Sequence, residues 1–321
     1  MEKFKNRVYG VVGIKSRFAN WNADFTGNPK TTLNGDIFGS DKAFKYPIKA
    51  MWNTDSNKKV LYIKSYKKNV KKDEKEKSDE DGKIIIQSKE LSERYKELFN
   101  KNLKDIKDKE EIVKDLFSAI DVLNFGATFA EEKNNISITG AVQVGQGYNI
   151  YKNTNVEVID ILSPFRDPNK ENALNSSIGK KIVTDEAHYM YPFVVNPSNY
   201  NIYEKLFGDD FVGYTKEAYE EFKKGCLIAA TAYNTNSKAG CENEFALFVT
   251  CKEDSKLYLA NLDQYVIFDK NKDALDTIDI SKISEILDKY IDQIESVEVY
   301  YNKYTTKIEG VRNNYIIKAL F

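Results

Sequence analysis

Three lysines, Lys42, Lys45 and Lys49, recur at spacings of three and four. That spacing puts their amines on one face of a helix. Such a stripe neutralises phosphate, although a solvated surface helix shows the same pattern. The loop ahead of it, from Arg17 onward, is rich in Asn, Gly, Asp and Thr, residues that favour turns and offer donors and acceptors. Within it, Asp24 and Asp36 could hold a divalent ion against a phosphate or could stabilise turns. His188 is the chain's single histidine. Acid–base chemistry needs a second positioned group, so His188 reads as a structural histidine at a strand start. Cys226, Cys241 and Cys251 are odd in number and lack C-x-x-C spacing, which argues against disulfides and zinc and for buried apolar roles.

These residues need a scaffold, and the composition supplies one. With 321 residues, 41% hydrophobic and 13% aromatic, the chain can bury a core of one large or two ordinary domains. No window approaches the roughly 18 to 20 unbroken apolar residues of a membrane span, and MEKFKNRVYG lacks an apolar signal core, so a soluble cytoplasmic protein is expected. The net charge is −1 but is segregated. Residues 1–72 carry 16 Lys and Arg against 5 Asp and Glu; of the totals of 48 and 49, that leaves 32 against 44. A basic face on a neutral protein suits a polyanion, and it also suits head-to-tail contact between copies.

In chain order, Arg7 to Ile14 is a β-branched run that reads as a central strand, with Gly10 and Gly13 leaving room for a close approach to its backbone. Ser40 or Asp41 caps the lysine helix, and Pro47 falls in its first turns. A second strand is expected over Val60 to Tyr66, then an exposed charged insertion from Lys67 to Lys83. Apolar spacing predicts helices over Glu90 to Ile106 and Glu110 to Ile120, and alternation predicts one strand over Ile136 to Val144 exposing Ser137, Thr139 and Gln143. Residues 145–187 form an irregular excursion with its own apolar patch, long enough to suggest function. The sheet resumes at His188 to Val195; a helix follows over Thr215 to Tyr233 with Thr215 as cap. Strands at Phe245 to Cys251, Leu257 to Leu262 and Val297 to Tyr301 flank a final helix, Ser281 to Ile294. No internal repeat is found, and the order is that of an α+β fold with a ferredoxin-like sheet.

Four short blocks, in order over most of the chain, resemble the CRISPR-associated Cas-seven family, type I-B branch, the backbone subunit of the Cascade complex. They are Asn22 through Met51, with Asn34-Gly35-Asp36, Ser40-Asp41-Lys42 and Lys49; Asp121 to Ala127; Thr139 to Gln143; and Ser237-Lys238-Ala239-Gly240. The chain departs from the family's Asn-Pro-Asn-Gly-Asp loop, where Asn20 to Asp24 and Gly27-Asn28-Pro29 stand instead.

The resemblance implies an RRM-like palm (1–52, 109–147 and 188–321), a helical finger-like insertion (53–108) and a thumb-like hairpin insertion (148–187). Several copies would polymerise as a helical filament along the spacer of a CRISPR RNA, each thumb displacing one guide nucleotide. Other partners would be target DNA through the guide and the cap, large and repeat-processing Cascade subunits; no cofactor or metal is implied. A guide of any sequence must be held through phosphate and ribose. On that reading Lys42, Lys45 and Lys49 neutralise phosphate and Asn20, Asn22 and Gln143 hold sugar or backbone oxygens. Arg166, Lys180 and Lys181 supply thumb contacts, and Phe165, Ile161 or Leu162 wedges between nucleotides. The family's type III relatives, which cut target RNA with a loop Asp, offer a rival reading at Asp24 or Asp36. A self-assembling protein without nucleic acid is the other.

Overall fold

The computed structural model describes residues 2–71, 83–162, 177–271 and 274–320. Its first strand, β1 (Val8–Ala19), is the axis of the fold. Val8, Val12 and Ile14 enter one apolar cluster while Tyr9 and Val11 enter another on the opposite face. A strand wetted on neither face needs apolar residues at every position, hence the unbroken run. Gly10 belongs to it for a steric reason: a Cβ there would lie 2.2 Å from the Phe193 ring and 2.3 Å from the Leu247 carbonyl oxygen.

After the two-residue strand β2 (Phe38–Gly39) comes helix α1 (Asp41–Asn53). The Ser40 hydroxyl accepts the Ala43 amide at 3.3 Å and caps it. The helix continues through Pro47 and buries Phe44, Ile48 and Trp52. The strand expected over Val60 to Tyr66 does not form there. Leu61 and Tyr62 donate their amides to the Asp121 carboxylate, both at 2.8 Å, so a side chain takes the place of a neighbouring strand. Pairing starts at Tyr66, where β3 (Tyr66–Lys71) runs antiparallel to β4 (Lys83–Ser88). The charged insertion is thus strand at both ends, and residues 72–82 lie outside the described ones.

Helices α2 (Leu91–Phe99), α3 (Lys109–Phe117) and α4 (Ile120–Phe125) follow. The first is shorter than its apolar spacing suggests, ending at Asn100 in the left-handed region, φ 55°. The run from Ile136 to Val144 is two strands rather than one. β5 (Gly126–Glu131) and β6 (Asn134–Thr139) make a separate hairpin, and after Gly140 and Ala141 the strand β7 (Val142–Val144) joins a different sheet. Next come β8 (Gly147–Asn149), β9 (Val156–Leu162) and β10 (Ser177–Val195). The excursion expected to be irregular is mostly strand: β9 pairs with Ser177 to Thr184, and β10 runs on beside β1.

The remainder comprises α5 (Asn201–Phe207), α6 (Lys216–Ala232), β11 (Cys241–Cys251), β12 (Ile267–Asp269), β13 (Asp276–Asp279), α7 (Ser281–Asp288), β14 (Ile294–Tyr301), β15 (Thr306–Glu309) and β16 (Ile316–Ala319). Thr215 caps α6 as expected. No strand forms over Leu257 to Leu262; both leucines are buried in the second apolar cluster. The last helix stops at Asp288 because Ile294 already opens β14.

The main sheet has the order β16-β14-β11-β1-β10-β8-β2, with β7 and β9 also on β10, nine strands among the described residues. β1 pairs antiparallel with β10 and β11, while β14 and β16 are parallel. Residues of α1 and α6 fill the cluster on one face, and those of β13 and α7 fill the other. The fold is mixed α+β.

Candidate functional site

The side chains of α1, the 60–62 segment and the α4–β5 junction surround an open cleft of ≈ 570 Å³ lined by Lys42, Lys45, Tyr46, Lys49, Tyr62 and Phe125. The three lysines share a face, as their spacing predicts, but they are not equivalent. Lys45 Nζ is 2.9 Å from Asp41 Oδ2 and 5.4 Å from the Phe125 ring centroid. Lys49 Nζ is 3.7 Å from Asp121 Oδ2 and 5.5 Å from the Tyr62 ring. Burial pushes the Lys49 ammonium below the usual lysine value, with Asp121 opposing that shift. Lys42 alone of the three is exposed, and no carboxylate among the described residues pairs with it.

The loop before α1 is two short turns on a shared base. Lys30 donates its amide to the Asn22 carbonyl and Phe38 donates its amide to the Lys30 carbonyl, each at 2.9 Å. Asn22 and Asn20 hold this base in place. Asn22 Oδ1 accepts the Ser40 amide at 2.8 Å, tying the loop to the start of α1. Asn20 is buried; its Nδ2 donates to the carbonyls of Gly27 at 3.0 Å and Ile182 at 3.2 Å, tying the first turn to β10. Asp24 Oδ1 accepts from Thr26 Oγ1 at 2.7 Å, the Thr26 amide at 2.8 Å and the Asn28 amide at 3.0 Å. The Thr26 hydroxyl above all holds the Asp24 carboxyl below the usual carboxylate range. Asp24 is committed to its own turn.

Three residues outside the candidate set adjoin this loop in the chain or in space. Lys238 Nζ donates to the Asn20 carbonyl at 3.0 Å and to the Trp21 carbonyl, and lies 5.0 Å from the Trp21 ring. Burial lowers its pKa to about 8. Gln146 Oε1 accepts the Asp41 amide at 3.3 Å at the start of α1. Arg17 is exposed near the end of β1, with no carboxylate partner among the described residues. Only Lys238 carried a signal, as part of a family segment.

Of the hairpin residues, Lys180 is exposed and Lys181 half-buried, next to the Ile182 that the loop contacts. The β9 side of the hairpin carries exposed Val156, Val158, Ile159, Ile161 and Leu162. Phe165 and Arg166 lie outside the described residues. Gln143 is exposed but donates to the Gly140 carbonyl at 2.9 Å, and it sits on β7 opposite Val194. From residue 182 to residue 194 is roughly 40 Å of extended strand, so Gln143 is apart from the hairpin residues.

His188 is fully buried. Its Nδ1 is 2.7 Å from Glu244 and its Nε2 3.3 Å from Glu186, and its ring stacks on Phe268 at 3.8 Å. Burial disfavours its charge, but the two carboxylates outweigh burial and raise its pKa to about 8. Lys270 bridges Glu186 at 2.8 Å and Asp276 at 3.1 Å. The imidazole therefore joins β10, β11 and β12. Among the described residues no group of three or more His, Cys, Asp or Glu could hold a metal ion, and no helix is long and apolar enough to cross a membrane.

A family model described as CRISPR-associated protein Cas7 matches residues 6–296. No curated protein matches. Among solved structures, a chain of a "CRISPR RNA-guided surveillance complex, pre-nicking" is similar at 13% identity with a TM-score of 0.56, over 98% of this chain and 96% of that one. A chain of another "CRISPR RNA-guided surveillance complex" is similar at 15% identity with a TM-score of 0.52, over 94% and 91%. At such identities the likeness is one of fold.

Proposed function

The chain belongs to the CRISPR-associated protein Cas7 family, and from that premise we propose that it is a backbone subunit of a type I-B CRISPR surveillance complex. In this role copies polymerise along a CRISPR RNA, hold it through phosphate and ribose, and present it to target DNA. Residues 1–52, 109–147 and 188–321 act as the palm, 53–108 as the finger and 148–187 as the thumb. The cap, large and repeat-processing subunits complete the assembly.

The observation that carries this reading is the loop before α1, which links two sets of uncommitted cations. At its base it meets α1, where Lys42 is exposed; at its first turn it meets β10 beside Lys180 and Lys181. Amines without carboxylate partners can bind phosphate without first breaking an ion pair. Lys45 and Lys49 stand in the cleft wall, paired with Asp41 and Asp121, and Asn22 anchors the loop. We propose no cleavage chemistry at Asp24, which already accepts three hydrogen bonds from its own turn. The rival reading rests on Asp36, exposed in the second turn, and regular cuts in complementary RNA with magnesium that vanish in Asp36→Ala would favour it. The test is to purify the protein from its native operon, digest it with protease and sequence any co-purifying nucleic acid. Short RNAs of repeat and spacer support the reading. A particle that forms without RNA, whose mass is unchanged by nuclease, defeats it in favour of a protein-only assembly.

A further inference from the structure

Phe25 and Leu33 are the most exposed large apolar side chains among the described residues, each wholly open to solvent. Each lies in one of the loop's two turns. Around Phe25, the Asp24 amide donates to the Asn28 carbonyl at 2.8 Å, and Gly27 takes φ +88°. Around Leu33, the Thr32 amide donates to the Asp36 carbonyl at 2.9 Å, and Gly35 also takes φ +88°. The first turn is the better anchored, through the three hydrogen bonds to Asp24, the bond from Asn28 Nδ2 to Thr26 Oγ1 at 2.8 Å, and the contact of Asn20 with Gly27 and Ile182. A phenyl ring held open to water on a well-braced turn forgoes its burial and loses little freedom when something covers it.

The surroundings point to what covers it. The turn leans on β10 beside Lys180 and Lys181, and its base is tied to the residue two before Lys42. Asp24, exposed beside the ring, is held in its own turn by three hydrogen bonds to one carboxylate oxygen, and the nearest cation of β10 is on the far side of the Ile182 contact. An aromatic face between cations is how single-stranded nucleic acid is held without regard to sequence, since every base offers a π-face.

We propose that the Asp24–Asn28 turn is a base-stacking platform, on which Phe25 stacks against an unpaired base of RNA whose phosphates run between Lys42 and Lys180, the hairpin lysine on the same strand face as Ile182. This rests on the backbone-subunit reading and moves the base contact from the hairpin to the loop before α1.

The test uses the full chain, a short mixed-sequence single-stranded RNA labelled with fluorescein, and the variants Phe25→Ala, Phe25→Trp and Phe25→Leu, compared by anisotropy over a salt series. Phe25→Ala is expected to lose about tenfold in affinity with no change in melting temperature and no change in salt slope, because a stacking ring contacts no phosphate. Phe25→Trp restores binding and Phe25→Leu does not. The proposal is overturned if Phe25→Ala binds within about twofold of the parent, or if Phe25→Leu restores as well as Phe25→Trp. It is equally overturned if Phe25→Ala keeps RNA affinity but reduces the mass of the RNA-free particle, which would assign Phe25 to a contact between copies. A parent that binds no RNA defeats the backbone-subunit reading as well; a parent that binds while Phe25→Ala is unaffected defeats this proposal alone.

Discussion

At Asp121 one buried carboxylate receives the amides of Leu61 and Tyr62 and faces Lys49. Asp121→Asn keeps the shape but leaves a charged Lys49 unpaired and loses one of the two amide acceptors. A loss of about 3 kcal/mol is expected in urea denaturation. Lys42 should behave in the opposite way. Lys42→Ala should leave the denaturation midpoint in place and reduce the slope of log affinity against log salt for RNA by about 0.7, the share of one phosphate contact on a single strand. An unchanged slope would remove Lys42 from the interface. His188 carries a pH dependence whose sign follows from its raised pKa of about 8 against 6.5 unfolded. The folded state holds the proton more tightly, so the stabilisation is full below pH 6.5 and is lost as pH rises through 8. The difference in stability between the parent and His188→Gln should therefore shrink by about 2 kcal/mol from pH 6 to pH 9. A difference that stays constant with pH would show that His188 is not protonated in the fold.

At the scale of elements, the longest runs were the most legible. β1 and α6 stand where their apolar patterns put them, since a core element is specified by its own residues. Gly10→Ala tests β1 directly: the added methyl meets the Phe193 ring and the Leu247 carbonyl, and one to three kcal/mol, roughly, should be lost on thermal melting. The misread stretches have a common cause. Val60 to Tyr66 looks like a strand because its residues favour extended backbone, but its leading amides are taken by Asp121, some 60 residues away. Leu257 to Leu262 has the right apolar residues and no neighbouring strand to pair with. The charged stretch after Tyr66 pairs at its ends because β4 supplies a partner; a strand needs a neighbour, and local sequence does not say whether one arrives.

For the whole molecule, part of the charge segregation read from the sequence is consumed by folding. Lys3 pairs with Glu204, Lys5 with Glu253, Lys15 with Glu186, Lys49 with Asp121 and Lys58 with Glu221, each bringing an early amine to a later carboxylate. The basic surface left over is smaller than the excess of residues 1–72 suggests; its exposed cations without a carboxylate partner among the described residues include Arg17, Lys42, Lys59, Lys64 and Lys68, with Lys180 on the hairpin. Affinity for RNA should accordingly fall with salt as if only a few phosphates per copy were neutralised; a slope of ten or more would contradict so small a free set. If copies polymerise on the guide, light scattering should show particle mass growing stepwise with RNA length. A mass independent of RNA length would sink that part of the proposal.

The sequence by itself determined the α+β class, the buried core strand β1, the amine face of α1, the buried cysteines and the family, because each is written in nearby residues or in short ordered blocks. It could not say which amines are free, since a lysine's availability depends on whether a distant carboxylate folds against it. Nor could it tell Asn20, buried as a loop anchor, from Phe25, left open at a turn tip, because both lie in the same polar stretch. Those decisions belong to the tertiary structure, where long-range contacts choose which polar groups satisfy one another and which remain for a partner.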